Sequence, residues 1–172
     1  MVAADLNGDG KVDLAVTDMS ANTVSVLLNY GPGTFSPKVD YPTGLSPASV
    51  TAADLNGDGK VDLATANYNG NTVSVLLNVG FGTFATKVDY GAGGAPESIT
   101  AADLNGDGKV DLAAANVVDN SVSVLLNTGP GTFSTKVDYS TGASPRSVAA
   151  ADLNGDGKLD LATANINSDT VS

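Results

Sequence analysis

The sequence contains no cysteine, no histidine and no tryptophan, and the first two absences exclude several kinds of chemistry. Without these residues the chain can form no disulfide, no thiolate or histidine metal site, and no nucleophile activated by a histidine. No apolar run approaches the roughly 20 residues of a membrane-spanning helix. No signal peptide precedes the first repeat. We therefore predict no membrane insertion, and we expect any export signal to lie outside this sequence.

Basic residues are scarce too: the chain has 8 of them against 19 acidic residues, for a formal net charge of -11. Such a surface repels phosphate backbones, so we expect no nucleic-acid partner. The acidity is concentrated, because aspartate supplies 18 of the acidic residues and Glu97 is the only glutamate. Twelve aspartates lie in four short loops, and one divalent cation in each loop would neutralise most of the net charge.

A strict internal repeat organises the chain. The string DLNGDGK begins at Asp5, Asp54, Asp103 and Asp152, which gives a period of 49 residues, and VSVLLN, GTF and KVDY recur with the same period. Repeats of this kind decide the fold. We interpret residues 1–172 as a single repeat array with repeats at 1–46, 47–95, 96–144 and, in part, 145–172.

Each period reads as four short strands, which we call A to D. In the second copy they are predicted at 48–54, 61–67, 72–78 and 84–90, separated by turns rich in glycine and asparagine. Four strands in a period of forty to fifty residues are typical of a β-propeller blade. A solenoid would have a shorter period, and a sandwich would not repeat so strictly. The predicted fold is all-β, with about 3.5 four-stranded antiparallel blades in a ring that is incomplete or completed by an oligomer.

The most specific motif is the loop D-x-N-x-D-G-K-x-D between strands A and B. Alternate positions offer side-chain oxygens and, at the lysine, a backbone carbonyl, which is the ligand chemistry that Ca²⁺ prefers over Mg²⁺. We predict one structural Ca²⁺ in each repeat, up to four in the chain. The predicted ligands are Asp5, Asn7, Asp9, Lys11 and Asp13; Asp54, Asn56, Asp58, Lys60 and Asp62; Asp103, Asn105, Asp107, Lys109 and Asp111; Asp152, Asn154, Asp156, Lys158 and Asp160.

Two other interpretations of the loop fit less well. An EF-hand needs glutamate at the twelfth position and flanking helices, whereas these copies have Val16, Thr65, Ala114 and Thr163 there and predicted strands on both sides. The string NGDG could also be no more than a hairpin turn. Four copies that all keep the closing aspartate favour the metal site.

The chain resembles the FG-GAP/VCBS repeat family, whose best-known members are the integrin α-chain propellers. The Asp loops carry the resemblance, together with Phe81-Gly82 and Gly94-Ala95-Pro96 in the second copy. The first and third copies depart from it, since they place Pro32 and Pro130 at the phenylalanine position and keep only Gly44…Pro47 and Gly142…Pro145. The resemblance implies a seven-bladed propeller with Ca²⁺ in the A–B hairpins. It also implies an extracellular or cell-surface setting, bacterial in our interpretation, and a role in adhesion or ligand binding.

The connections that differ between copies suggest where a partner would bind. They are the B–C turns at 19–22, 68–71, 117–120 and 166–169, and the D–A linkers at 42–49, 91–98 and 140–147. An up-and-down blade places both at one end, opposite the Asp loops. This end could be a recognition face, or its loops could simply have drifted. Five tyrosines could stack on sugar rings or serve as packing residues: Tyr30, Tyr41, Tyr68, Tyr90 and Tyr139.

Four functional hypotheses remain open at this point. The leading one is a Ca²⁺-stabilised, non-enzymatic scaffold for adhesion or for binding a protein ligand. The second is a lectin-like module with glycan sites on or between blades. An enzyme fits poorly, because no aspartate pair outside the loops recurs at a fixed spacing. The fourth is an engineered or truncated repeat protein without a natural ligand. In each case, blades left unpaired would favour self-association to complete a propeller.

Overall fold

A computed structural model describes residues 1–172 and consists of strands, turns and bends. The first repeat contains β1 (Val2–Ala4), β2 (Asp13–Asp18), β3 (Thr23–Leu27), β4 (Asn29–Gly31), β5 (Thr34–Phe35) and β6 (Val39–Pro42). The second contains β7 (Pro47–Ala53), β8 (Asp62–Asn67), β9 (Thr72–Leu76), β10 (Asn78–Gly80), β11 (Thr83–Phe84) and β12 (Val88–Gly91). The third contains β13 (Pro96–Ala102), β14 (Asp111–Asn116), β15 (Ser121–Leu125), β16 (Asn127–Gly129), β17 (Thr132–Phe133) and β18 (Val137–Ser140). The fourth contains β19 (Pro145–Ala151), β20 (Asp160–Asn165) and β21 (Thr170–Val171).

Each repeat forms one antiparallel sheet, as predicted. The strand orders are β1-β2-β3-β6, β7-β8-β9-β12 and β13-β14-β15-β18, followed by the three-stranded sheet β19-β20-β21. Three two-stranded hairpins, β4-β5, β10-β11 and β16-β17, lie between the third and fourth strands of their sheets. No sheet closes into a barrel. Each of the four sheets is one blade of an incomplete propeller. None of the structure is a helix of the length and apolar character that crossing a membrane requires.

The outer part of each blade differs from the prediction. Strands A and B of the second copy lie within one residue of their predicted bounds, but strand C ends at Leu76 and not at residue 78. Asn78 instead begins a hairpin in which it pairs with Phe84, and only Val88–Gly91 forms the fourth strand. The hairpin turns through Gly80 and Gly82 at positive φ, and the Phe84 ring leaves the sheet and packs in the core.

The hydrophobic core lies between the sheets. Alternate side chains of a strand point to opposite faces, so Leu63 and Leu76 of the second sheet pack with Val24 and Val26 of the first. Ala64, Val73 and Val75 face the other way, toward Leu112 and Leu125 of the third sheet. A third cluster joins the third sheet to Val148 of the fourth. The inner strands β1, β7, β13 and β19 are neighbours in space, which is the arrangement of propeller blades around an axis.

Two of the five tyrosines are packing residues. Tyr41 meets Phe84 of the next repeat edge-on, with ring centroids 5.3 Å apart, and its hydroxyl donates to the Gly82 carbonyl at 3.4 Å. Tyr90 and Phe133 repeat this contact one period later, at 5.4 Å. Tyr30 and Tyr139 remain largely exposed.

Candidate functional site

The Asp loops (residues 5–13, 54–62, 103–111 and 152–160) all lie at one end of the blades. Each starts just after an inner strand and closes on the first residue of the next strand, so one hairpin carries all five predicted ligands. The small hairpins lie at the same end, since the Gly131 N–H donates to the Leu55 carbonyl at 3.2 Å. We call this the loop end.

The first and fifth loop residues bond to their own loop. In the first copy, the Asp5 carboxylate accepts the N–H groups of Gly8, Asp9 and Gly10 at 2.8, 3.2 and 2.8 Å. The Asp9 carboxylate accepts the Lys11 N–H and the Lys11 ammonium, both at 2.9 Å. The Gly10 N–H lowers the pKa of Asp5, and the Lys11 ammonium lowers that of Asp9. Both carboxylates are therefore ionised at neutral pH.

The closing aspartate has a different environment. Asp62 is fully buried, and its carboxylate accepts the N–H of Leu55 at 2.9 Å and that of Asn78 at 2.7 Å. Burial raises the pKa of Asp62, and of Asp111 in the next copy, above the usual range. The closing aspartate thus joins the Asp loop to the start of the small hairpin and brings a negative charge into the interior.

The loop residues fit Ca²⁺ in their donor chemistry. Every predicted ligand is a hard oxygen, and the buried Asp62 carboxylate has no cationic side chain bonded to it, because Lys60 pairs with Asp58 at 2.7 Å. However, the loop carboxylates accept hydrogen bonds from their own backbone, and the structure contains no group of three acidic side chains arranged to hold one ion. Calcium binding stays a prediction.

An asparagine to which the sequence analysis assigned no role connects neighbouring blades. The Asn78 side-chain amide donates to the carbonyl of Leu6 in the preceding Asp loop at 2.8 Å and to that of Val61 at 2.9 Å. Asn127 makes the same two bonds one period later, to Leu55 and Val110. The available signal was the repeated polar residue that ends the apolar VSVLLN string.

Three recesses lie between successive Asp loops. The first, of about 260 Å³, lies between the first two loops, and the next two measure about 450 and 510 Å³. In each, aspartate and asparagine of one loop face the lysine segment of the next. Their rims differ, because Phe81 borders the first recess and Pro130 the second.

The variable connections meet at the opposite end of the blades, as predicted. The N–H groups of Tyr68 and Gly70 in a B–C turn donate to the carbonyls of Ser46 and Leu45 in a D–A linker, at 2.9 and 3.1 Å. We call this the linker end. Beneath the variable residues, the last three copies share one feature: the buried Asn67 donates to Ser74 at 2.8 Å, and Asn116 and Asn165 donate to Ser123 and Ser172 in the same way. The first copy has the exposed Asp18 at this position.

A glycine packs directly against this asparagine. A Cβ on Gly44 would lie 2.5 Å from Asn67 Nδ2, and one on Gly93 would lie equally close to Asn116 Nδ2. Gly93, and not Gly94 of the GAP string, therefore occupies the position of Gly44 and Gly142 in the other linkers.

One family model matches most of the chain. It is described as an FG-GAP-like repeat and matches residues 5–65, 54–114 and 103–163. These overlapping matches each span from one Asp loop through the next. No curated protein shows a significant sequence match to the chain.

Several solved structures are similar. A lectin from Agrocybe aegerita, described as recognising non-reducing terminal N-acetylglucosamine, is 27% identical with a TM-score of 0.61, covering 94% of this chain and 45% of the lectin. The V. cholerae biofilm matrix protein Bap1 is 22% identical with a TM-score of 0.57, covering 94% of this chain and 23% of Bap1. BBS1N, solved in complex with ARL6DN, is 11% identical with a TM-score of 0.66, covering 99% of this chain and 54% of BBS1N. The chain spans about half or less of each of these proteins.

Proposed function

The chain belongs to the FG-GAP-like repeat family, and from this membership we propose that it is a Ca²⁺-stabilised, non-enzymatic scaffold for adhesion or ligand binding outside the cell. The observation that carries the proposal is the Asp loop, which places the five predicted oxygen ligands four times at the junction of the two innermost strands. A bound Ca²⁺ would neutralise the clustered carboxylates and hold strand A to strand B. The similarity to Bap1, a biofilm matrix protein, supports an extracellular setting.

In this proposal the metal is structural, and the chain's own residues provide its support. The closing aspartate anchors the Asp loop to the small hairpin through the N–H of Asn78, and the Asn78 amide anchors both to the preceding loop. A Ca²⁺ ion that orders one Asp loop would therefore also order the preceding Asp loop. A rigid loop end would present the remaining surface of the blades to a partner.

Thermal unfolding in CaCl₂ and in EGTA tests the calcium proposal. A site that binds only the folded chain adds about 2.7 kcal/mol to the free energy of unfolding when the ion is at 100 times its Kd, so calcium should raise the midpoint. Serine at Asp5, Asp54, Asp103 and Asp152 together should abolish the shift. Serine at Asp40, Asp89 and Asp138, which lie outside the loops, should leave it intact. An equal midpoint with calcium and with EGTA would refute the calcium proposal.

The same samples test self-association. The first and last repeats each leave one blade face uncovered, and such a face could bind a second copy of the chain. Phe35 of the first repeat's small hairpin is 37% exposed, against 6% for the equivalent Phe84. Leu153 of the fourth Asp loop is 64% exposed, against 2% for the equivalent Leu6 of the first. We propose that a second copy covers these faces, and light scattering should then report the mass of two chains. A stable monomer with one sharp unfolding transition would contradict this part of the proposal.

Carbohydrate binding is a second candidate function. The observation that favours it is the similarity to the Agrocybe aegerita lectin, whose identity of 27% exceeds those of Bap1 and BBS1N. A glycan array probed with the calcium-loaded chain tests it. Retention on a defined class of glycan is expected, and binding to no glycan would leave the protein-binding scaffold as the function.

A further inference from the structure

Phe81 is an exposed aromatic side chain on an unfavourable backbone. It stands at the tip of the β10–β11 hairpin with 88% of its surface accessible and a φ of 54°. For a bulky residue that backbone conformation is an outlier, and such outliers cost about 1–3 kcal/mol and concentrate at functional sites. The accessible ring gains little packing energy within the chain to offset this cost.

The other two hairpins show that folding does not require this residue. Pro32 and Pro130 hold the same position and are not in the left-handed region, as expected from the fixed φ of proline near -65°. Proline at a compatible turn position also restricts the unfolded chain, which stabilises the fold. Compared with proline at this position, Phe81 therefore lowers stability in three ways. Its side chain is exposed, its backbone conformation is strained, and it leaves the unfolded chain more freedom.

The neighbouring glycine fixes the hairpin tip above the first Asp loop. A Cβ on Gly82 would lie 2.7 Å from Leu28 Cδ2 and 3.6 Å from Asn7 Cβ, so the backbone there packs directly against the preceding repeat. The Gly82 carbonyl also accepts the Tyr41 hydroxyl at 3.4 Å. The Phe81 ring therefore extends from a well-anchored turn.

The recess beside the ring is small, and its lining mixes apolar residues, among them Leu6 and Val61, with polar ones. Phe81 lines it together with Asp5, Asn7, Lys60 and Asn78, and its volume of about 260 Å³ lies below the range of drug-sized pockets, about 300–1,000 Å³. Asn7 uses its carbonyl oxygen to accept the Asp9 N–H at 2.9 Å, which leaves its amide nitrogen to donate to a ligand. The Lys60 ammonium and the Asn78 amide already bond to Asp58 and to backbone carbonyls, so the Asn7 amide is the donor that remains for a ligand. An aromatic side chain beside a free amide donor suits a ring that carries hydroxyl groups on its edge.

We propose that the recess between the first two Asp loops is a saccharide subsite, in which the Phe81 ring stacks on one pyranose ring and the Asn7 amide donates to one of its hydroxyls. This inference rests on the carbohydrate-binding form of the proposed function. It places recognition at the loop end and not at the variable linker end. It also makes the three recesses unequal, since the second has Pro130 where the first has the aromatic ring.

The experiment titrates the calcium-loaded full chain with methyl glycosides of glucose, galactose, mannose and N-acetylglucosamine, followed by amide NMR shifts and calorimetry. The loop residues around Phe81 should shift on binding. Phe81→Pro copies the sequence of the first and third hairpins, so it should fold with an unchanged or raised unfolding midpoint and bind about tenfold more weakly. Phe81→Tyr should retain binding, and Pro130→Phe should add a second set of shifting residues around the second recess.

The outcomes separate the two levels of the proposal. If no methyl glycoside and no arrayed glycan binds the wild-type chain, both the carbohydrate function and the subsite are wrong. If glycosides bind, but Phe81→Pro keeps the full affinity and the shifts lie elsewhere, the subsite alone is wrong and the carbohydrate function stands. Weakened binding by a fully folded Phe81→Pro chain supports the subsite, because loss of structure cannot explain it.

Discussion

The buried asparagines at the two ends of the second and third blades form different kinds of hydrogen bond. At the loop end, side chains bond to backbone groups, as when the Asp62 carboxylate and the Asn78 amide connect the Asp loop, the small hairpin and the preceding blade. At the linker end, a buried side chain bonds to other side chains, as Asn67 does to Ser74, beneath turns whose sequences differ. Backbone partners do not depend on side-chain identity, so Asn78 and Asn127 make the same two bonds, whereas side-chain partners depend on each copy's sequence. The hydrogen bonds of these asparagines at the loop end can therefore repeat from blade to blade although the rim residues differ, and those at the linker end show local exceptions.

The largest expected effect would break the connection between blades at the loop end. Asn78→Ala leaves the buried carbonyl of Leu6 and the partly buried carbonyl of Val61 without this donor, which should lower the free energy of unfolding by about 3 kcal/mol. Asn29 is the matched control, because its amide reaches only the exposed Val12 carbonyl at 3.0 Å. Asn29→Ala should lose about 1 kcal/mol. Urea denaturation measures both values, and equal losses would mean that the contact between blades contributes nothing.

A smaller effect is expected where the linker end packs most closely. The Cβ in Gly44→Ala would lie 2.5 Å from Asn67 Nδ2 and 2.9 Å from Thr72 Oγ1. Asn67 is fully buried and hydrogen-bonded, so it has little room to move, and we expect a loss of about 2 kcal/mol. Gly91→Ala, whose Cβ would meet nothing within 4 Å, should change stability by less than about 0.5 kcal/mol. A tolerated Gly44→Ala would show that the linker end is loosely packed.

The smallest expected effect is a gain. Thr65 donates to Asn67 Oδ1 at 3.0 Å, but the third copy has Ala114 at that position, and Asn116 Oδ1 is buried without a partner. Ala114→Thr should supply the hydroxyl and raise the free energy of unfolding by about 1 kcal/mol. The reciprocal change Thr65→Ala should lose a similar amount. If both substitutions destabilise the chain, the missing hydrogen bond is not what distinguishes the two copies.

The strands of the blades could be predicted well from the sequence. The alternation of side chains along each strand and the period of 49 residues determine which residues are buried. Leu63 and Ala64 are adjacent and belong to different cores, as expected for a strand buried on both faces. The small hairpin was missed. VLLN reads as a continuation of strand C, and the bond from the Asn78 N–H to Asp62, which redirects the chain, joins residues 16 positions apart.

The motif D-x-N-x-D-G-K-x-D predicted that the five candidate oxygen ligands lie in one loop, and each Asp loop does join two neighbouring strands. Whether these residues bind a metal stays a prediction. The motif could not show that Asp62 also binds the N–H of Asn78, because one residue type serves as a metal ligand and as a hydrogen-bond acceptor. The sequence also could not show that the Phe81 ring is exposed, because a Phe-Gly pair is compatible with a buried ring as well.

The location of the cores between the sheets has a consequence for how such a gene can change its length. Every interface joins the rear face of one repeat to the front face of the next, and near-identical repeats make these faces interchangeable. Recombination that inserts or removes one whole period of 49 residues therefore creates no new kind of contact. A fractional step would place an Asp loop beside a D–A linker, and the amide of Asn78 would then face no carbonyl in the preceding blade.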